Sequence, residues 1–407
     1  MAKGSNSSRL GRYNKRILLT ELRRVEQASK ATLALRSHLT PQAVTRIVDE
    51  LEKDGLVLRA GRTSGGKGQP ATLYTINPRG AYAIGVMVGR KDMELLLMDF
   101  GGKILGKIQH SYARPEPDFL LPEIERGIAD LSGRLSVTES RRLMGIGVAM
   151  PWFIGEWSSE LGMSRALAAH WRDLDFGAEL GRRTTLPIFF ENDGSAAAIG
   201  ELLFGCGTEI ADFLYIYIGT FVGGGVVVGG NLEPGAHGNS GALASMPVPH
   251  SKLCSTPAPA RGSEVLLNRA SLFVLLRHLA ANGFPIDEIG QLDRVLDRAR
   301  PVVDAWIDDC ADALAFAAAS AVSILDPEAV VIDAPVPRWL LLEITSRVAA
   351  RLEEGAPSGI LVPRVLPGSL GPDANAIGGA ILPFYSNFVL DRVVLLTGGV
   401  PDRISLS

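Results

Sequence analysis

Apolar positions in the first fifty residues recur at helical spacing. From about Asn14 to Glu26, Ile17, Leu18, Leu22 and Val25 share one face. A second, short helix is expected after Ser29, a good N-cap, with Leu33 and Ala34 turned inward. A third is expected to begin at Thr40-Pro41, an N-cap followed by proline at the first helical position, and to stop at Gly55. On it Val44, Ile47, Val48 and Leu51 fall at i, i+3, i+4 and i+7, leaving Gln42, Thr45, Arg46 and Asp49 on the opposite side. His38 sits in the tight turn between helices two and three, where a left-handed backbone is expected. We read it as a turn residue, not a catalytic one. Two apolar stretches, 56–59 and 72–76, then flank the glycine-rich segment 61–68, which is a hairpin signal. Asn77 to Gly80 reads as a hinge.

From about Ala81 the pattern changes to strands alternating with helices, which indicates an α/β architecture with helices layered on mixed sheets. Ala83–Gly89 and Met93–Phe100 suggest a hairpin turning on polar residues, and 145–150 and 187–191 suggest short buried strands. Leu214–Ile218 and Gly225–Val228 are expected to flank a glycine-rich turn. Ala311–Leu325 reads as a long apolar helix feeding a strand over 329–332. Asp373 and Asn375 look like a helix start, and Val389–Leu396 fits either a strand or a short helix. The expected domains are 1–77 and 78–407.

Composition narrows the class. In 407 residues, hydrophobic types make up 46% and no apolar run reaches the roughly 18–20 residues that span a bilayer. The opening MAKGSNSSRLGRYNKR lacks the apolar core of a signal peptide, so a cytoplasmic protein without a membrane partner is expected. Cys206, Cys254 and Cys310 are scattered and include no CxxC pair, which suits a reducing compartment. The net charge of −3 conceals a division: residues 1–80 carry 15 Lys+Arg against 6 Asp+Glu, or +9, leaving −12 for the remainder. A basic head on an acidic body points to a polyanion as the head's partner.

That partner is expected to be double-stranded operator DNA. In a helix-turn-helix the N-terminal end of the second helix enters the major groove. Gln42 there can read adenine, Arg46 can read guanine, and Thr40 and Thr45 suit a phosphate or a thymine methyl. Arg62, Lys67 and Gln69 on the glycine-rich wing are placed for backbone phosphate or the minor groove. A helix-turn-helix reads one half-site, so a homodimer or higher oligomer is expected.

With both halves laid out, the chain resembles the ROK family (repressors, open reading frames and sugar kinases), specifically its repressor branch. The segment SKATLALRSHLTPQAVTRIVDELEKDGLV looks like that branch's helix-turn-helix, and GKGQPATLYTINP like its wing and exit strand. GIGVAMP, FFENDGSAAAIGELLFG, YIGTFVGGGVVVGG, GAHGNSGALASM and SILDPEAVVID follow the family in order. The resemblance implies a winged helix-turn-helix followed by a two-lobed actin-like, sugar-kinase-like domain.

It also implies which kinase parts are missing. Met87 stands where the kinases keep a phosphate-loop Asp, and Arg90-Lys91 replaces a small pair. A thioether cannot organise magnesium, which takes hard oxygen ligands. Phe221 interrupts the second glycine-rich loop, and the strand over 329–332 runs into Asp333-Ala334-Pro335 instead of a Gly-Gly turn. Phosphoryl transfer rests on positioning and electrostatics, so no kinase activity and no cofactor are expected. On the sugar side Asn192 and Asp193 remain, Asp193 matching the family's base. Ala242 and Ser245 replace a sugar-gripping Glu and a zinc-ligating His, and Cys254 with His250 makes no tetrahedral zinc site, so no metal is expected. His237 either contacts a ligand or is satisfied by its loop, and Trp152 either stacks on a sugar or packs its lobe. A small-molecule effector, a sugar or a derivative, is expected at Asn192, Asp193, His237, Trp152 and Ser245. The alternatives are a vestigial body serving dimerisation or protein binding, and an active sugar kinase.

Overall fold

A computed structural model describes residues 7–62, 70–155, 162–257, 259, 262–355 and 358–389. It divides into two compact units, one comprising the chain up to Glu191 together with the part from Gly379 onward, the other Asn192–Gly378.

The first unit opens with a winged helix. Its elements are α1 (Ser7–Val25), β1 (Ala28–Ser29), α2 (Lys30–Ser37), α3 (Pro41–Lys53), β2 (Val57–Arg62) and β3 (Thr72–Ile76). The two expected caps are formed: Ser29 Oγ accepts from Thr32 N, and Thr40 Oγ1 from Ala43 N. His38 closes α2 at φ 54°, in the left-handed region. Leu18, Leu22, Leu33, Val44, Ile47, Val48 and Leu51 are buried together with Val57 and Tyr74. β2 and β3 pair antiparallel with a register shift between Arg59 and Gly61, and β1 adds to β3, giving the order β1-β3-β2. β1 was not expected, because two residues carry no periodicity.

The rest of the first unit is a five-stranded sheet in the order β6-β5-β4-β7-β8. Its strands are β4 (Tyr82–Val88), β5 (Asp92–Asp99), β6 (Ile104–Ser111), β7 (Leu143–Ala149) and β8 (Ile188–Glu191). The first three form an antiparallel meander, and β7 and β8 add in parallel. Helices α4 (Pro117–Gly133), α5 (Val137–Ser140), α6 (Arg165–Asp173) and α7 (Phe176–Gly181) complete it. Ile84, Val86, Leu95, Leu97, Ile124, Leu131 and Val148 lie in one buried cluster.

The second unit holds α8 (Asp193–Phe204) and a mixed sheet in the order β11-β10-β9-β14-β15. Its strands are β9 (Phe213–Ile218), β10 (Val222–Val228), β11 (Asn231–Leu232), β14 (Ala329–Asp333) and β15 (Arg364–Pro367), with β12 (Pro247–Val248) and β13 (Glu264–Val265) forming a separate ribbon. Helices α9 (Leu267–Ala270), α10 (Leu272–Ala281), α11 (Leu296–Leu325) and α12 (Arg338–Gly355) follow. Two expectations need correction. Gly223 and Gly224, expected in the turn before a strand at Gly225, already lie within β10, paired with Tyr217 and Ile216. The long helix begins fifteen residues before Ala311, at Leu296. The last helix, α13 (Ala374–Phe388), starts where Asp373 and Asn375 suggested, and the boundary between the units falls inside it at Gly378/Gly379. Of the ambiguous stretch 389–396, everything after Val389 lies outside the described residues.

Within the first unit the winged helix is tied to the sheet and to the end of α13. Arg16 donates from Nη1 to Val389 O at 2.9 Å and from Nη2 to Ser386 O at 2.7 Å, binding carbonyls in the last turn of α13 and just beyond it. Two helical turns on, Arg23 donates to Phe100 O at 3.1 Å and lies over the Phe100 ring, which meets Phe384 and Phe388 edge-on. Arg142, between α5 and β7, donates to Gly80 O at 3.1 Å and reaches Asp54 O at the end of α3.

Candidate functional site

On the winged helix, Gln42, Thr45 and Arg46 are all exposed along the N-terminal half of α3, and Thr40 caps its start. The burial of Val44, Ile47, Val48 and Leu51 dictates that exposure, because residues one and two positions away from a buried stripe must point elsewhere. Arg62 is exposed at the end of β2, at the root of the wing. Lys67 and Gln69, also assigned to the wing, lie outside the described residues.

The same face carries acids that sequence reasoning did not weigh. Arg46 Nη1 sits 2.7 Å from Glu50 Oε1, one helical turn on, and Glu50 Oε2 sits 3.1 Å from Lys15 Nζ of α1. Lys15 also meets Asp54 at 3.4 Å. Its ammonium, chiefly through a hydrogen bond, holds the Glu50 carboxyl below the usual range, with Arg46 adding to the effect. Lys30 pairs with Asp49 at 2.5 Å and lies over the Tyr74 ring, while Arg59 grips Glu52 through Nε and Nη2. The Arg46–Glu50 spacing of four was legible; the reach of Lys15 from another helix was not.

The second unit gathers its polar candidates around β10. Asn192 caps α8, its Oδ1 accepting from Gly194 N at 3.0 Å and from Ser195 N, and Asp193 Oδ1 also accepts from Gly194 N. Gly194 and Gly224 are in backbone contact, since a Cβ on Gly194 would overlap the Gly224 amide. The loop over 235–245 folds onto the same strand, with Leu243 buried against Gly224. His237 and Ser245 on that loop are exposed, and among the described residues neither side chain makes a hydrogen bond. Asn192, Asp193 and this loop are therefore neighbours along β10. Trp152 belongs to the first unit, where it is half-buried beside the exposed Phe153.

A buried polar cluster closes the end of β14. Asp333 is fully buried; its Oδ1 accepts from Ala334 N, and its Oδ2 accepts from the Tyr215 hydroxyl at 3.2 Å and from Gly371 N. Burial, with the nearby Glu201 charge adding to it, pushes the Asp333 carboxyl up to about 6. Glu201, also fully buried, accepts from Cys206 N and from Ser369 N and Oγ. Phe221 turns its ring inward against Phe273 of α10.

Residues 83–384 match the ROK family. The chain belongs to the ROK family. Residues 17–64 match the MarR family, within the winged helix. A putative xylose repressor of Caldicellulosiruptor sp. is 24% identical over 338 residues, covering 80% of this chain and 84% of that one. A glucokinase of Halalkalibacterium halodurans is 29% identical over 326 residues, covering 74% of this chain and 94% of its own. Among solved structures, a ROK family transcriptional regulator homologous to the E. coli Mlc protein superposes with a TM-score of 0.65 at 22% identity, over 95% of this chain and 99% of that one, and so shares the fold. The relatives thus include a named repressor and a named kinase, and the solved regulator covers nearly all of this chain.

Against that family background the departures acquire positions. Met87, half-buried near the end of β4, is paired with Glu94 on one side and Ala149 on the other. Where the family's kinases were expected to turn on two glycines, this ROK chain buries the Asp333 carboxylate. The segment that corresponds to the zinc-ligating stretch of the family's kinases makes its contacts with a buried ion pair. Arg269 and Asp309, each with a side chain 2% exposed, meet at 2.8 Å. Asp309 accepts from Lys252 N and Ser251 Oγ, and Arg269 donates to Pro249 O. Cys254 and His250 nearby are exposed, and among the described residues no group of three or more His, Cys, Asp or Glu side chains could hold a metal ion.

Proposed function

We propose that this ROK chain is a DNA-binding transcriptional repressor whose kinase-like body senses a sugar or a related small molecule without phosphorylating it. The observation that carries the reading is the exposed row Gln42, Thr45 and Arg46 on the N-terminal half of α3, presented by a winged helix joined to a ROK body. That end of the second helix is the one that enters the major groove in this class of motif. The named repressor among the relatives supports the same reading. For the body, Asn192 and Asp193 at the start of α8 offer an amide and a carboxylate to sugar hydroxyls.

Charge and shape both disfavour phosphoryl transfer in this chain. A nucleotide needs hard oxygen ligands for its magnesium and close backbone approach to its phosphates. Met87 supplies a thioether, Phe221 a ring, and Asp333 a carboxyl group beside the glycine turn at 368–371. The chain is accordingly expected to give no sugar-dependent ATP turnover in a coupled assay across pentoses, hexoses and N-acetylhexosamines. Turnover that disappears in Asp193→Ala would overturn this half of the reading. Specific duplex binding by the full chain tests the other half.

A further inference from the structure

Arg46 is not a loose side chain awaiting a base. One of its two terminal nitrogens, Nη1, is occupied by Glu50, leaving Nε and Nη2 without a partner among the described residues. Glu50 is in turn fixed from the far side by Lys15, a residue of α1, whose ammonium spans Glu50 and Asp54. The guanidinium therefore stands at the end of a chain of charges, Asp54–Lys15–Glu50–Arg46, that ties the outward face of α3 to the helix behind it. Its side chain remains 60% exposed, so the arrangement fixes a direction without covering the group.

We propose that Glu50 is a positioning residue for base reading, holding Arg46 by Nη1 so that its Nε–Nη2 edge is presented to a guanine. This rests on the DNA-binding reading above and adds a residue to it. Two adjacent donors of a planar fork match guanine O6 and N7. A guanidinium already held on its other nitrogen loses less rotamer freedom on docking than a free one. A carboxylate near a polyanion also repels it, so Glu50 lowers affinity for every duplex while raising discrimination for one base pair. These opposite effects separate positioning from simple competition, in which Glu50 would merely hold Arg46 away from DNA.

The test uses the full chain and a randomised duplex pool, from which the preferred sequence is selected and each position's discrimination measured. Arg46→Ala is expected to remove the preference at one G·C pair. Glu50→Gln is expected to weaken discrimination at that same pair by about tenfold, within the range of one bidentate contact, while affinity for unrelated duplex does not fall. Lys15→Gln, which leaves α3 unaltered, is expected to weaken the same pair and no other. In an Arg46→Ala background, Glu50→Gln should have no further effect on discrimination. The proposal is overturned if Glu50→Gln tightens selected and unrelated duplexes equally with discrimination unchanged, the signature of a competitor. A wild-type chain that enriches no sequence overturns the DNA reading itself, and this inference with it.

Discussion

Arg269 and Asp309 form an ion pair that is desolvated on both sides and also organises the loop over 249–253. Removing one partner of such a pair strands a charge, so Arg269→Met is expected to destabilise the fold by about 3–5 kcal/mol in chemical denaturation. Arg269→Met with Asp309→Leu should recover much of that, because an apolar pair of similar volume carries no desolvation penalty. Asp333 gives a pH signature of known sign. Its folded pKa of about 6 exceeds the ordinary 3.8, so its contribution favours the folded state below the unfolded value and is lost as pH rises through about 6. The wild type should thus lose about 3 kcal/mol from this group between about pH 4 and 7, and Asp333→Asn should flatten that slope. An equal slope in both proteins would place the titration elsewhere. Neither cluster was readable in the sequence. Asp333 showed only as a missing glycine, and Arg269 and Asp309, forty positions apart, have no spacing that announces a contact.

At the level of elements, local chemistry was the more legible part. Ser29 and Thr40-Pro41 marked helix starts because capping is satisfied within three residues. The apolar stripe of α3 fixed which side chains face outward. The glycines of β10 misled, because their composition matches a turn while their reason is packing: α8 and the 235–245 loop both lie against that strand. The start of α11 was hidden by charged residues and by Pro301, the sixth residue of the helix, where proline removes an i→i−4 hydrogen bond and reads as a break. Docking of α1 on the end of α13 could not be read at all, since Arg16 reaches carbonyls some 370 positions away. Those bonds make a testable joint. Arg16→Ala together with Arg23→Ala should weaken the attachment by about 1.5–3 kcal/mol for each charge-assisted bond lost, seen as faster hydrogen exchange in α1 and at 384–389. Unchanged exchange there would show that Arg142 and the hinge at 77–80 alone hold the winged helix.

Across the whole molecule, the division between a basic head and an acidic remainder has a structural sequel. Many of the head's cations already face carboxylates: Lys15, Lys30, Arg36, Arg46 and Arg59 pair with Glu50, Asp49, Glu21, Glu50 and Glu52. Outside the Lys15–Glu50–Arg46 chain such surface pairs are weak and salt-screened, so phosphate can replace their carboxylates at little cost. Lys67→Ala is accordingly expected to weaken binding to all duplexes alike and to reduce the salt slope by about one, in contrast to the position-specific loss from Arg46→Ala. The repressor reading joins this head to a body whose polar pair at Asn192–Asp193 is retained while its nucleotide elements are altered. The most direct test is the affinity of the full chain for its selected duplex at modest ionic strength, measured with and without each member of a sugar panel. The account predicts sequence-specific binding that at least one sugar, and not MgATP alone, shifts several-fold. Equal affinity for all duplexes, or specific binding that no sugar alters, would contradict it.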